Sequence, residues 1–335
     1  SAFDGGNIQV VDTQDPSNIQ LEIKKDNQSD FYQWFYFRVS NIRGVESTYR
    51  ISNLEKSAYV DGWKDYRICA SYDRQLWFRI DTEFNGNELS FSHCSDGDSI
   101  YFAYFAPFSM EQHGDMVAEI SQTPHARLSV LGSTLDGQNM DMLQFGEPGA
   151  GKKSCWLIAR QHPGETMAEW WMEGALHRLS DDSDPVTRKL LDKAVFYVVP
   201  NMNPDGSKRG HLRTNAVGAN LNREWHDPTP ERSPEVLLVR DKMDETGVDF
   251  CLDVHGDEAL PYNFIAGFEG IPSVTETMLA ELERYRTTLE RLSPDFQTKY
   301  GYPVAAPGKA DLSMATNQIA ERYHCLAKTL EMPFK

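Results

Sequence analysis

Three short apolar runs, at residues 155–159, 194–199 and 250–254, constrain the fold of this chain more than any other feature. A run without polar alternation suits a strand buried on both faces, and such strands belong to sheets covered by helices on both sides. The segments between them have helical spacing. Met167, Trp170, Trp171, Leu176 and Leu179 recur on one helix face after the first run. Ser233-Pro234 opens a helix reaching Thr246, with Gly247 as its C-terminal cap. Amphipathic patterns cover residues 274–292 and 312–324, and residues 327–332 read as a last strand. The expectation is an α/β fold built on a mainly parallel mixed sheet with helices on both faces.

The first third of the chain has a different grammar. Short β-rich runs at residues 20–24, 34–39, 76–80, 88–93 and 99–105 alternate with turn signals, among them Asn85-Gly86 in a hairpin pattern. No amphipathic helix interrupts them, so an antiparallel β-sandwich is expected. The aromatic density of residues 31–37 suits either a packed sandwich core or a carbohydrate- or peptide-binding face, and ordinary burial favours the core. After Pro107 the style changes, with a helix expected over residues 109–121 and strands over 127–131 and 140–145. The domain expectation is therefore a sandwich at residues 1–108 and a catalytic domain at 109–335. The glycines of residues 147–151 do not form a phosphate loop, because Gly151-Lys-Lys-Ser leads into a strand rather than a helix.

Fifty acidic against thirty-three basic residues give a net charge of −17, a field that repels nucleic acid and anionic membranes and excludes both as partners. No run approaches the ~18 apolar residues of a membrane span, and the first residues lack the features of a signal peptide. Five scattered cysteines suggest reduced thiols rather than a disulfide frame, and so a cytoplasmic location. The sequence carries no signal of oligomeric state.

The chemistry-bearing residues gather where those strands end. His162-Pro-Gly-Glu165 follows the first apolar run, in the position where open α/β sheets keep their ligands. His255 follows the third run. Two histidines and a carboxylate are the three protein ligands of a hydrolytic zinc site, whose fourth position is left to water. Glu331, within an apolar strand pattern, suits a general base facing that water; the bland alternative is an outward-facing residue on an edge strand. Segments 209–215 and 219–225 are rich in Arg and Asn, equipment for holding a carboxylate in fork geometry, although a solvated loop of charges has the same composition. Asn203-Pro-Asp-Gly206 reads as a turn.

In order and approximate spacing, His162-x-x-Glu165, Asn203-Pro-Asp-Gly206, Arg213, Asn222-Arg223, His255 and Glu331 resemble the zinc carboxypeptidases of the carboxypeptidase A type. The β-rich segment ending in Tyr101-Phe-Ala-Tyr-Phe-Ala-Pro107 is similar to the extra domain of the cytosolic carboxypeptidase subfamily. The resemblance implies Zn2+ as cofactor, held by His162, Glu165 and His255, with Glu331 as the base that activates a zinc-bound water. It implies that Arg213 stabilises the oxyanion and binds substrate, and that Asn222 and Arg223 bind the terminal carboxylate of a peptide or protein. The implied activity is hydrolysis of the C-terminal peptide bond. A preference for acidic last residues is a finer expectation, with Lys208, Arg209 and Lys309 as candidate cations. The chain departs from the family pattern in lacking a tyrosine in segment 305–311, where many such enzymes carry a mobile one; Tyr300 and Tyr302 lie nearby without an assigned role. Two other readings use the same residues: a zinc amidase for small N-acyl amino acids, like the aspartoacylases, or a non-catalytic binding protein.

Overall fold

In the N-terminal region, β1 (Gln9–Asp12), β2 (Ile19–Glu22), β3 (Tyr36–Ser40), β4 (Glu46–Ile51), β5 (Ile68–Ser71), β6 (Phe78–Ile80), β7 (Glu83–Phe84), β8 (Leu89–Cys94) and β9 (Ser99–Ala103) form two sheets. Their orders are β1-β2-β4-β8-β7 and β3-β9-β5-β6 in a computed structural model that describes all 335 residues. Tyr49 and Phe91 of one sheet meet Phe102 of the other at ring separations of 5.0 Å, so the inward residues of alternating strands make the core. Burying each such ring contributes about 1.5–3 kcal/mol. Trp34, Phe35, Tyr36 and Phe37 belong to this core, and only Phe31 of the aromatic run remains partly open. One pair departs from the antiparallel pattern: β2 and β4 are parallel. The intervening β3 lies in the opposite sheet, so the chain returns to the first sheet with its direction restored.

From residue 110 the elements are α1 (Met110–Ile120), β10 (Ala126–Ser133), β11 (Asn139–Phe145), β12 (Lys153–Ala159), α2 (Met167–Ser180), α3 (Pro185–Lys193), β13 (Ala194–Val199) and α4 (Pro204–Arg209). They continue with α5 (Pro234–Thr246), β14 (Phe250–Asp257), β15 (Phe264–Ala266), α6 (Glu276–Leu292), α7 (Ala315–Tyr323) and β16 (Leu326–Pro333). The seven strands form one mixed sheet of order β10-β11-β13-β12-β14-β16-β15. Its four central strands, β13, β12, β14 and β16, are parallel, while the pairings at the edges, β10 with β11, β11 with β13 and β15 with β16, are antiparallel. The three apolar runs of the sequence are β12, β13 and β14, all central, as burial on two faces requires. No helix is long and apolar enough to cross a membrane.

Two local differences from the sequence expectation bear on function. Asn203-Pro-Asp-Gly206 is the first turn of α4, with Asn203 Oδ1 accepting from the Gly206 N–H at 3.0 Å as an N-cap. Strand β14 does not stop at Val254 but continues to Asp257, which puts His255 inside the ladder. Beyond β16, Phe334 is fully buried against Tyr104 at 4.7 Å. The sandwich is thus bolted to the end of the strand that carries Glu331.

Candidate metal centre

The carboxyl ends of β12, β14 and β16 lie side by side, and the functional side chains converge there. Parallel pairing of β14 with β16 sets His255 opposite Glu331 in register. After β12 the chain turns at Arg160, a non-glycine residue at φ +58°. That strain, about 1–3 kcal/mol, is offset by its side chain, which donates to Pro163 O at 3.0 Å and Phe108 O at 2.7 Å. Gly164 follows because the loop presses against its neighbour: a Cβ there would lie 2.9 Å from Leu212 O. The turn delivers His162 and Glu165 at the N-terminal end of α2, where a carboxylate is favoured by the helix dipole.

His162, Glu165 and His255 are buried, and one ligand atom from each lies within 4.8 Å of the others. His162 Nδ1 is 2.6 Å from Glu165 Oε1, His255 Nδ1 is 2.8 Å from Glu165 Oε2, and the two Nδ1 atoms are 3.2 Å apart. The opposite nitrogens are already committed. His162 Nε2 pairs with Asn220 Oδ1 at 3.0 Å and His255 Nε2 with Asp253 Oδ2 at 2.9 Å. Both partners are acceptors, so each ring donates through Nε2 and presents the Nδ1 lone pair inward. Two lone pairs facing each other repel unless a proton or a metal ion lies between them. Nitrogens about 2.0–2.1 Å from a tetrahedral ion sit about 3.3 Å apart, so the donor set fits zinc.

The local charges are tightly coupled. Burial opposes ionisation of Glu165, but the two imidazoles outweigh it and hold the carboxyl well below its ordinary range. Burial, aided by Arg213, pushes His162 down to about 4, so its ring is neutral. Burial also disfavours a charged His255, yet Asp253 and Glu165 overcome it and raise that imidazole well above its ordinary value. Glu331 is 6 % exposed, and its Oε2 has no hydrogen-bond partner. Burial, with the nearby Glu165, Asp257 and Asp253 carboxylates, pushes it up to about 8 despite His255.

The expected substrate-binding residues border this cluster. Arg213 Nη1 is 3.5 Å from His162 Nδ1. Asn222 Oδ1 accepts from the Ala315 N–H at 2.8 Å, which leaves its amide N–H groups free. Arg223 donates to the Asn222 carbonyl at 2.6 Å and lies 3.8 Å from Asp311, with 41 % of its side chain exposed. Of the candidate cations, Arg209 is committed to Asp136 by two bonds of 2.6 and 2.9 Å, while Lys309 lines a cavity of about 660 Å³ beneath the loop of residues 296–305. Tyr300 and Tyr302 both line the same cavity; Tyr302 donates to Asp257 Oδ2 at 2.6 Å, and Tyr300 stacks on Tyr262.

Asn220, Asp253, Gln161 and Glu258 escape the sequence reading. Gln161 donates to Asp253 Oδ2 at 2.6 Å and accepts from Trp225 Nε1 at 2.7 Å, so it locks the carboxylate that orients His255. Asp253 had a legible signal, since strand alternation puts residues 253 and 255 on one face. Buried Glu258 had none; it faces Glu165 and Arg213.

Comparison with known proteins matches two stretches of the chain. The pattern of the family described as zinc carboxypeptidase matches residues 115–264, and that of the cytosolic carboxypeptidase N-terminal domain matches residues 1–105. An uncharacterized protein of Zymomonas mobilis is 56 % identical over 100 % of this chain and 87 % of its own length. The metallo-carboxypeptidase from Pseudomonas aeruginosa, solved in complex with (2-guanidinoethylmercapto)succinic acid, is 42 % identical with a TM-score of 0.97, covering 100 % of this chain and 89 % of that one. Mouse cytosolic carboxypeptidase 1 is 30 % identical over 72 % of this chain, which spans only 23 % of that protein's length.

Proposed function

This chain belongs to the zinc carboxypeptidase family, and from that premise we propose that it releases single C-terminal residues from peptides or proteins at the centre built by His162, Glu165, His255 and Glu331. The observation that carries the reading is the buried, unpartnered Oε2 of Glu331 beside a pre-oriented His-Glu-His donor set. Zinc held by those three residues supplies a Lewis acid and an acidified water. Glu331 takes the proton of the attacking water and passes it to the leaving amine. Arg213 donates to the scissile carbonyl oxygen as negative charge builds there. Asn222 and Arg223 grip the free carboxylate of the last residue, which limits cleavage to chain ends. We set the boundary between the two domains near Phe108, in the link between β9 and α1. All five cysteines are unpaired, which supports a cytoplasmic location.

The finer preference for an acidic last residue rests on Lys309 in the flanking cavity. The Pseudomonas relative's ligand carries both carboxylates and a guanidinium, so charge at the last side chain is the property to vary. Peptides ending in Glu, Lys or Phe, each free or amidated at the C-terminus, test both points by mass spectrometry. Stepwise loss of one residue is expected from the free-ended peptides alone, abolished by a chelator and restored by zinc, with Glu released fastest. Equal cleavage of amidated peptides would remove the roles of Asn222 and Arg223. Turnover of small N-acyl amino acids with peptides untouched would replace the peptidase by an amidase.

Metal binding should depend on pH in a defined direction. Below the raised pKa of His255, the metal-free protein carries a proton on this ring that zinc must displace. Zinc affinity is therefore expected to rise about tenfold per pH unit on the acidic side of that pKa. Competition with a chromogenic chelator at several pH values measures it, and a flat response would contradict the assignment of His255.

A further inference from the structure

We propose that the N-terminal sandwich is a working part of the active site, because it positions Arg213; this rests on the reading of Arg213 as the group that serves the carbonyl oxygen. The strongest observation is Asp26, which lies between β2 and β3 and is 3 % exposed. Its carboxylate accepts from the backbone N–H groups of Leu212, Arg213 and Thr214 at 2.7, 2.8 and 2.9 Å, and from Thr214 Oγ1 at 3.1 Å. Three successive N–H groups aimed at one carboxylate fix the backbone on both sides of Arg213, and bonds to an ionised acceptor are roughly twice as strong as neutral ones. The side chain is held from the same direction. Its guanidinium carbon lies 5.5 Å from the Phe31 ring and 5.6 Å from the Tyr59 ring, so two aromatic faces of the sandwich confine it.

Neighbouring contacts keep that clamp in place. Asn27 donates through its backbone N–H to His211 Nε2 at 3.1 Å and through Nδ2 to Ala216 O at 2.6 Å, gripping the loop on either side. A side chain at Gly218 would meet Gln28 O at 2.4 Å, so the two segments are as close as backbone permits. Leu212 itself packs into the sandwich core, so these bonds also anchor the loop there. What they fix is a long, flexible cation whose value to catalysis depends on being in place before charge develops. Phe31 packs at the edge of the sandwich core and stays partly exposed, and Tyr59 also faces Glu165, Glu258 and Arg223. Asp26, Phe31 and Tyr59 are thus positioning residues.

Steady-state kinetics on Asp26→Asn and on Phe31→Leu/Tyr59→Leu, each with Arg213 present and in an Arg213→Ala background, test the proposal. Removing an oxyanion donor costs about 10²–10³ in kcat, and a misplaced one should cost about tenfold to a hundredfold. Zinc content should be unchanged and KM should move less than kcat. In the Arg213→Ala background the same changes should cost less than about twofold, since they act through a side chain no longer there. An equal loss in both backgrounds, or full activity of both variants with Arg213 present, would overturn the positioning role. Full activity of Arg213→Ala alone would instead overturn the oxyanion reading. If Asp26→Asn fails to fold, the partly exposed aromatic pair carries the same comparison.

Discussion

Glu331→Gln is expected to lower kcat about a thousandfold while zinc content and KM stay near their wild-type values. General bases contribute typically about 10²–10⁴-fold, and the neighbours of Glu331 along its own strand, Leu330 and Met332, carry no group that could replace it. Glutamine keeps the shape but cannot accept a proton near neutral pH. The pH profile gives a second, independent reading. A base must be ionised, so activity is lost as pH falls through its pKa. Burial pushes the carboxyl up to about 8 without the metal, and a bound dication favours the anion and moves that limb to lower pH. The residual activity of Glu331→Gln should lack this acid limb. Wild-type kcat in the variant, with zinc retained, would remove Glu331 from the chemistry and return it to the status of a buried structural acid.

The pattern of what was legible in the sequence has a physical cause. Strands β12, β13 and β14 announce themselves because burial on both faces leaves no room for polar alternation, and the ends of β12 and β14 point to His162 and His255. Strands β4 and β5 are silent: Glu46–Ile51 buries only Ser47, Tyr49 and Ile51, and Ile68–Ser71 is too short to show a period. Helix α3 buries Thr187 alone, so its apolar stripe is too thin to recognise. Strand order is the larger loss. Nothing local shows that β14 pairs with β16, yet that pairing alone brings Glu331 to His255. Asp26 is the extreme case, since it sits in a polar stretch and its partners lie 186 to 188 residues away. Ligands are legible because their chemistry restricts residue type; the residues that orient them are not, because any suitably placed acceptor serves.

Glu169→Leu should produce the largest loss of stability, for a reason that also reaches the metal. Glu169 has no exposed surface, and its carboxylate gathers three donors: His113 Nδ1 at 2.6 Å, Arg160 Nη1 at 2.5 Å and Asn201 Nδ2 at 3.0 Å. Burial disfavours a charged His113, but Glu169 and then Asp141 outweigh it and push the imidazole up to about 9. Removing the carboxylate strands the Arg160 cation in the interior, and breaking a buried pair from one side costs about 3–5 kcal/mol. Denaturant unfolding should show that loss. A triple replacement, His113→Leu/Arg160→Met/Glu169→Leu, removes the buried cations together with the carboxylate, leaves only the partly exposed Asp141 without its partner, and should cost less than the single change if the uncompensated cation is the cause. Arg160 also holds the carbonyl of Pro163, between His162 and Glu165, so loosening it loosens two of the three candidate ligands. Loss of a partner that orients ligands typically lowers metal affinity about 10–100-fold, and Glu169→Leu should show a drop of that size at temperatures where it remains folded. Undiminished zinc affinity in a destabilised variant would mean that the His162 loop keeps its shape without the charge network beneath it.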